Sequence, residues 1–333
     1  MLPDPFLYLL ERALDARSDL IASSPQSAIR LFNGFLEGCP DLVIELYDDT
    51  LVVLNHANPP EGLAAEIETA ASFYQQRLAQ LACILVKNRR AGNPQMRRGV
   101  VVRGSSPTEK IQEHGVWYAL DLTLNQDTSF YLDTRSLRLW AIQNLAGKTT
   151  LNTFAYTGSL GVAAMAGGAR RVIQLDRSRE FLGIGQRSYA LNRFPFRRED
   201  FRVQDFFGGI SAFKQAGESF ECVFLDPPLF STSSKGTVNL VSESTRLINK
   251  VRPVVTDSGW LVAVNNALFV SGSNYLHTLE SLCADGYLAI EALIPIPEDC
   301  TGYPQTRVRS LPADPTPFNH STKIALLRAK SKA

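Results

Sequence analysis

The sequence has few of the residues from which metal centres and disulfide frameworks are built. Its 333 residues include 4 histidines and 5 cysteines, and no two cysteines form a C-x-x-C pair. An odd number of scattered cysteines argues against a disulfide framework and a zinc site, and it indicates a reducing compartment. We therefore expect no bound metal and a cytoplasmic protein.

The chain also lacks net charge and long apolar runs. Lys plus Arg number 34 against 33 for Asp plus Glu, which gives a formal net charge of +1. This balance excludes polyanion binding through overall charge, so any nucleic-acid contact must be local. No apolar run is long enough to span a bilayer, and the first residues lack a signal-peptide layout. We expect no membrane partner, and the sequence leaves a homodimer open.

Length and hydrophobic content favour two domains. A chain of 333 residues that is 45% hydrophobic has ample material for two cores. Residues 1–124 predict an auxiliary α+β domain with a helix over 5–21. Within it, Leu42–Leu46 and Leu51–Asn55 predict a β-hairpin.

Residues 125–333 alternate between strand-like and helix-like segments. This alternation predicts an α/β domain with a Rossmann-like, doubly wound, mostly parallel seven-stranded sheet. A helix is predicted over 238–252, and the Pro-rich segment 295–317 is predicted as a surface loop that lines the substrate opening.

A glycine-bearing turn between two strands is the most informative motif. The β-prone run Thr149–Phe154 leads into Ala155–Gly161 and a small-residue helix, and the next strand ends in Asp176. Such a unit forms half of a nucleotide site, because glycine lets backbone N–H groups approach the ligand and the acid accepts from ribose hydroxyls. Phe154 and Tyr156 stand where a dinucleotide site has glycines. A ligand without a pyrophosphate, such as S-adenosylmethionine (SAM), suits this turn; an ordinary βαβ unit is the alternative.

A second motif places an acid and two prolines after an apolar strand. The strand Cys222–Leu225 is followed by Asp226, Pro227, Pro228, Leu229 and Phe230. Prolines carry no N–H and fix a rigid turn, so this corner offers acceptors only. With Phe230 as a stacking face, it suits a flat base that bears N–H groups, while a plain strand-ending turn is the alternative. The candidate catalytic residues are Asp226, Pro227, Pro228 and Phe230.

Together these motifs resemble those of class I SAM-dependent methyltransferases, and more narrowly those of the bacterial 23S ribosomal RNA large-subunit methyltransferase group. The similar segments are Leu31–Tyr47, Asn125–Arg138, Asn152–Gly161, Leu175–Ser178, Asn192, Asp205–Phe206 and Asp226–Phe230. The resemblance covers most of the chain. It implies an enzyme that uses SAM and takes RNA, above all large-subunit rRNA, as its partner.

The candidate cofactor-binding residues follow successive strands of the second domain. They are Asn152, Phe154, Tyr156, Thr157, Gly158, Asp176, Arg177, Ser178, Asp205 and Phe206. Asp176 would accept from the ribose and Asp205 from the adenine amino group, with Phe206 packing on the ring; a helix cap and a loop acid are the alternatives. The resemblance adds Asp133 and Arg135, which would help to close the cofactor site.

A local excess of positive charge occurs between residues 87 and 103, with six cations and no acid. As an exposed loop, this stretch would contact RNA phosphates without reading sequence; a solvated loop is the alternative. The candidate substrate-binding residues are Lys87, Arg89, Arg90, Arg97 and Arg98, with Asn265 recognising the edge of the base.

One residue that some members of the resembled group need is missing. Methylation of cytosine at C5 requires a cysteine nucleophile, and Val262–Phe269, where those members carry it, contains none. Cys222 lies inside a strand and is expected in the core. The sequence therefore predicts direct in-line methyl transfer to a base nitrogen of ribosomal RNA. The alternatives are a methyltransferase that acts on a small molecule or a protein, and a catalytically idle RNA-binding protein that retains the SAM pocket.

Overall fold

The chain divides into two units in the computed structural model, which describes residues 4–233 and 236–330. The first unit runs up to Leu132 and also includes Pro297–Ser310; the second comprises Asp133–Ile296 and the chain from Leu311 onward. The expected boundary after residue 124 therefore lies eight residues before this division. It also missed the return of residues 297–310 to the first unit.

The helices and strands have the following bounds. The helices are α1 (Pro5–Asp15), α2 (Ser18–Ser23), α3 (Gly34–Glu37), α4 (Ala64–Arg77), α5 (Pro94–Arg98), α6 (Arg135–Asn144), α7 (Ser159–Ala166), α8 (Arg179–Leu191), α9 (Phe206–Gln215), α10 (Ser244–Val251), α11 (Gly272–Cys283) and α12 (Glu298–Thr301). The strands are β1 (Ala28–Asn33), β2 (Leu42–Tyr47), β3 (Thr50–Asn55), β4 (Cys83–Asn88), β5 (Val100–Gly104), β6 (Lys110–Glu113), β7 (Val116–Ala119), β8 (Thr149–Thr153), β9 (Arg171–Asp176), β10 (Phe201–Val203), β11 (Phe220–Leu225), β12 (Phe230–Ser233), β13 (Gly236–Asn239), β14 (Val255–Asn265), β15 (Leu288–Ile294) and β16 (Lys323–Ala329).

The first unit is built on a five-stranded sheet in the order β1-β2-β3-β4-β5. The predicted hairpin is confirmed, with β2 antiparallel to β3, and its turn places Asp48 at φ 53, a left-handed conformation that Asp tolerates. β3 and β4 are parallel, because α4 crosses over between them. Apolar side chains of the strands pack with buried residues of α1 and α4, such as Leu10 and Tyr74.

The segment that returns to the first unit is fixed to β1 by hydrogen bonds. The Asp299 carboxylate accepts from the Arg30 backbone N–H at 3.0 Å, and the Asn33 side chain donates to the Cys300 carbonyl at 2.7 Å. Asp299 and Cys300 are buried. The prediction that 295–317 forms a surface loop is therefore wrong at α12, because buried hydrogen bonds anchor Asp299 and Cys300 within the first unit. That the segment lines the substrate opening stays a prediction.

The second unit confirms the predicted α/β domain. Its seven-stranded sheet has the order β10-β9-β8-β11-β14-β16-β15. The first five strands in this order, β10, β9, β8, β11 and β14, pair in parallel, and β16 is antiparallel to both of its neighbours. This is a doubly wound, mostly parallel sheet of the Rossmann-like type. No helix in the described part of the chain is long and apolar enough to cross a bilayer.

The prediction of one helix over 238–252 is wrong at its start. Residues 236–239 form β13, which pairs with β12 as a hairpin, and α10 begins only at Ser244. Asn239 ends the strand because its side-chain oxygen accepts from the Val241 N–H at 3.1 Å, which forms a local turn. The helix α9, directly after Asp205, was not predicted.

Gly161 determines how closely α7 packs on the sheet. A Cβ at this position would lie 2.1 Å from Nε2 of the buried Gln174. We expect Gly161→Ala to lower the free energy of unfolding by about 1–3 kcal/mol, because Gln174 cannot move without losing its own hydrogen bonds. Thermal or urea unfolding would measure this change. The matched control is Gly183→Ala on α8, where nothing lies within 4 Å of the added Cβ. It should stabilise the protein slightly, and an equal loss in both variants would contradict the packing argument.

Candidate active site

The candidate residues of the second unit meet where the parallel strands end. Leu175 on β9 and Leu225 on β11 both pair with Thr153 on β8, which lies between them. Asp176 and Asp226, each one residue further on, therefore stand at the same level on either side of β8. With adjacent strands about 4.8 Å apart, the two backbones are roughly 10 Å from each other. This edge is where open α/β sheets bind their ligands.

The turn after β8 is held in a strained conformation by Asp176. Phe154 and Tyr156 both have φ 51, a region that non-glycine residues rarely occupy. One Asp176 oxygen accepts from the Tyr156 N–H at 2.9 Å and the other from the Ser178 N–H at 2.8 Å. Burial raises the pKa of Asp176 above its ordinary value, although these two donors oppose the shift. Strain of this kind is maintained at functional sites by the surrounding structure.

The hydrogen-bonding capacity left in this turn fits an adenosine-containing ligand. A carboxylate offers roughly four lone-pair positions, so after these two backbone donors Asp176 retains acceptors for a ribose diol. Gly158 is the N-cap residue before α7; its φ of 80 is left-handed, and it provides no side-chain cap. The first N–H groups of α7 therefore remain available to a ligand. The turn therefore offers both donors and acceptors to a ligand.

Asn152 supports the turn from behind and is not positioned to contact a ligand. It is 2% exposed, and its amide donates to Gln174 Oε1 at 2.8 Å. Gln174 in turn donates to the Gly158 carbonyl at 3.2 Å. The expectation that Asn152 binds the cofactor is corrected to a structural role, because β8 is buried on both sides. Gln174 was missed, although a lone polar residue in the apolar strand Arg171–Asp176 was a usable signal.

Asp205 and Phe206 open α9. One Asp205 oxygen caps the helix by accepting from the N–H groups of Phe207 at 3.0 Å and Gly208 at 3.3 Å. Within the described residues its other oxygen accepts no hydrogen bond and stays available for an adenine amino group. Phe206 is 5% exposed, and its ring stacks on Phe154 at a centroid distance of 4.5 Å. The first turn of α9 directs this side chain into the core. The packing of Phe206 on the adenine ring stays a prediction.

The remaining candidates of this region have local structural partners. Ser178 caps α8 by accepting from the Phe181 N–H at 3.2 Å. Arg177 is exposed and donates to the Thr232 carbonyl of β12 at 3.3 Å. Thr157 is 5% exposed and precedes the glycine of the turn. These contacts shape the turn, and a cofactor contact from each of the three stays a prediction.

Asp226 lies in an environment that disfavours its charge. Burial, and then the nearby charge of Asp133, raise its pKa to about 7. Asp133 is held in place because its carboxylate accepts from the Thr322 hydroxyl at 2.7 Å. Pro227 is buried, whereas Phe230 is 63% exposed. The corner therefore combines an acceptor of raised basicity with an exposed aromatic ring.

The charge of Asp133 near Asp226 should make the pH dependence of the methylation rate measurable. If the ionised Asp226 is the active form, the methylation rate should rise with pH through about 7. Asp133→Asn keeps an acceptor for Thr322 but removes the charge, so the midpoint should move to lower pH. The rate-against-pH profile of both proteins measures this shift. Thr322→Val, which frees Asp133 without neutralising it, is the control and should keep a midpoint near that of the wild type. An unchanged midpoint in Asp133→Asn would contradict the coupling.

Arg135, the other candidate that the resemblance adds, begins α6 and is 9% exposed. The resemblance implies that it helps to close the cofactor site. That role stays a prediction.

Two of the candidate substrate-binding residues are buried. Lys87 is 0% exposed, and its ammonium donates to the carbonyls of Asn125 at 2.8 Å and Asp127 at 2.6 Å. Burial lowers its pKa to about 8. Asn265 is 1% exposed and bonds to Leu240 and Ser244. The expectations of a phosphate contact for Lys87 and of base recognition for Asn265 are therefore wrong. Each side chain is buried and donates its hydrogen bonds to groups within its own unit.

The other cations of the stretch differ in exposure. Arg90 and Arg98 are exposed. Arg89 pairs with Asp127 at 2.9 Å, and Arg97 donates to the Ala91 carbonyl at 2.7 Å. The exposed basic surface of the first unit is therefore smaller than the six cations of the sequence suggested. Residues 87–103 form the end of β4, the short helix α5 and the edge strand β5 rather than an open loop.

No thiol is available for covalent catalysis near Asp226 in the described residues. Cys222 is 0% exposed within β11, and burial raises its pKa. A neutral buried thiol is a poor nucleophile. In the same residues, no group of three or more His, Cys, Asp or Glu side chains has the arrangement of a metal site.

Comparison with known proteins agrees with the geometry of this site. A family model described as S-adenosylmethionine-dependent methyltransferase matches residues 68–308. The chain belongs to this family. Members of this family are enzymes that use SAM. The seven-stranded sheet of the second unit is that of class I methyltransferases.

Two curated relatives carry ribosomal names. Ribosomal RNA large subunit methyltransferase I of Aeromonas salmonicida is 31% identical over 239 residues, which cover 69% of this chain and 58% of that protein. Ribosomal RNA large subunit methyltransferase K/L of Marinobacter nauticus is 34% identical over 158 residues, which cover 47% of this chain and 22% of that protein. The chain thus spans less than two thirds of the length of these relatives.

Two solved structures show the same fold. SMU.776, crystallised in complex with SAH, has a TM-score of 0.83 at 20% identity, covering 97% of this chain and 81% of that one. A SAM-dependent methyltransferase from Agrobacterium tumefaciens has a TM-score of 0.61 at 17% identity, covering 88% of both chains. At these identities the likeness shows the fold alone.

Proposed function

We propose that this protein transfers the methyl group of SAM directly to a nitrogen of a base in large-subunit ribosomal RNA. The observation that carries the proposal is the placement of Asp226 beside the cofactor turn, level with Asp176, in surroundings where the described residues offer no reactive thiol. A carboxylate and proline carbonyls accept hydrogen bonds, so they select a base edge that donates them.

The chain's own residues would act mainly by positioning. When bound, SAM supplies a methyl group on an already electrophilic sulfonium. Asp226 and the Pro227 carbonyl would hold the N–H groups of the base, and Phe230 would stack on its face. Fixing the two reactants at attack distance contributes several kcal/mol, on the order of 7 or more in favourable cases. If the target is an exocyclic amine, Asp226 is placed to receive the released proton, and its pKa of about 7 suits that task.

Two observations support RNA as the substrate. The relatives from Aeromonas salmonicida and Marinobacter nauticus are named for large-subunit ribosomal RNA. The first unit also exposes Arg90 and Arg98 in a stretch without acids. Exposed arginines bind phosphates with little dependence on base sequence, which suits an auxiliary RNA contact.

The test is nucleoside mass spectrometry of ribosomal RNA from cells with and without this protein, together with transfer of labelled methyl from SAM in vitro. We expect one methylated base nitrogen in large-subunit RNA that is lost without the protein and restored in vitro. Small-subunit RNA and a panel of small amines and proteins serve as controls. Labelling of a metabolite or protein alone would replace the substrate, and SAM binding without any methyl product would support an idle RNA-binding protein.

A further inference from the structure

We propose that Phe269 forms a second wall of the base site and stacks on an unpaired nucleobase beside the Asp226 corner. This inference rests on the proposed function and names a positioning residue for it. Phe269 was not among the residues expected from the sequence. It lies in the loop between β14 and α11.

The loop that carries Phe269 is anchored through both backbone groups of Ala267, its N–H and its carbonyl. The Ala267 N–H donates to Asn265 Oδ1 at 2.9 Å, and its carbonyl accepts from the buried Lys323 ammonium at 3.1 Å. Leu268 and Phe269 follow immediately. The exposed ring of Phe269 is therefore presented by a fixed backbone, as a stacking residue requires.

Asn265 also joins this loop to the segment that follows the hairpin. Its side-chain amide donates to the Leu240 carbonyl at 3.2 Å and to the Ser244 hydroxyl at 3.0 Å. The Leu240 N–H in turn donates to the Leu229 carbonyl at 3.0 Å. A continuous chain of hydrogen bonds thus runs from the loop of Phe269 to the Asp-Pro-Pro corner. The buried Asn265 holds the two loops together.

Both loops, and the segment after the hairpin, expose large apolar side chains. Phe269 is 79% exposed and Phe230 is 63% exposed. Leu229, Val241 and Leu268 are exposed by 48%, 63% and 41%. Neither phenyl ring contacts another aromatic ring within the described residues. Large apolar side chains exposed on neighbouring loops are typical of a binding surface.

The chemistry between the loops favours a nucleobase as the occupant. β11 and β14 are neighbouring parallel strands, with Leu225 paired to Ala263, so both loops leave the same edge of the sheet. Asp226 lies at the start of one loop and offers acceptors only. A ligand that is flat and apolar on its faces but donates N–H at its edge satisfies both features. A lipid chain or an aliphatic protein side chain leaves the carboxylate without a donor.

The test uses steady-state methylation of a large-subunit RNA fragment by Phe269→Ala, Phe269→Leu and Phe269→Tyr. Stacking on one base corresponds to a change of about tenfold in affinity. We expect the Ala and Leu variants to raise KM for RNA about tenfold, the Tyr variant to remain close to wild type, and SAM affinity to stay unchanged in all three. Because Phe269 is exposed, the melting temperature should also be unchanged.

The matched control is Phe196→Ala. Phe196 is another exposed phenylalanine of the second unit, 52% exposed, in the loop before β10. It should leave KM for RNA within about twofold of wild type. A Phe269→Ala variant with wild-type KM would overturn the proposal while leaving the methyltransferase function intact, and so would a Leu variant equal to the Tyr variant. Wild-type protein that methylates no RNA would overturn the proposed function and this inference together.

Discussion

Asp226→Asn is expected to lower the rate of methyl transfer on the order of 10³-fold while SAM affinity changes less than about threefold. The substitution keeps the shape of the side chain but turns one acceptor oxygen into an NH₂ donor. That donor would face the N–H groups of the base, and a site that rejects a mismatched hydrogen-bonding partner does so by factors of this size or more. Single-turnover transfer measures the rate, and isothermal titration with SAM measures binding.

Melting temperatures show whether the lost activity of Asp226→Asn results from unfolding. Because burial raises the pKa of Asp226 from 3.8 to about 7, the folded state binds a proton more tightly than the unfolded state between these values. Stability contributed by this group is thus present at low pH and lost as pH rises to about 7. Asp226→Asn carries no such charge and should melt no lower than wild type at pH 8. Lost SAM binding with unchanged RNA affinity would instead place Asp226 in the cofactor site.

Patterns with a strong physical cause could be predicted from the sequence. The alternation of strands and helices gave the parallel sheet, and the sheet brings Asp176 and Asp226 to the same edge because parallel strands end together. The hairpin of β2 and β3 was also predictable from its apolar runs and its acidic turn. Each of these features depends on residues that are close in sequence or on a general rule of topology.

Features that depend on distant partners could not be predicted. Lys87 looked like part of a basic loop, but carbonyls nearly 40 residues later take up its ammonium. Asn265 resembled a base-recognition residue until Leu240 and Ser244 proved to be its partners. The return of residues 297–310 to the first unit has the same origin, since the two donors that anchor it, the Arg30 N–H and the Asn33 amide, lie on β1. A single sequence does not show which polar group satisfies which.

Asp176→Ala is expected to weaken SAM binding by about 10²-fold or more. Hydrogen bonds from a charged group contribute about 1.5–3 kcal/mol each, and the proposed ribose contact involves two of them. The same substitution removes the acceptors for the N–H groups of Tyr156 and Ser178. The left-handed backbone of Tyr156 should then relax and leave the turn less well shaped for the ligand. Isothermal titration with SAM and with adenosine measures the loss.

Asp205→Ala provides the matched comparison for Asp176→Ala, because both acids follow strands at the same edge and both accept from backbone N–H groups. Asp205 uses one oxygen to cap α9 and would offer only the other to the adenine. We expect its loss to weaken SAM binding about tenfold, with an additional fall in melting temperature from the lost cap. Adenosine contains the ribose and the adenine but no sulfonium. Each variant should therefore lose about as much affinity for adenosine as it loses for SAM. If Asp176→Ala bound adenosine normally and lost only SAM, its carboxylate would contact the methionine part of the ligand, and the sugar would have to be held by another residue.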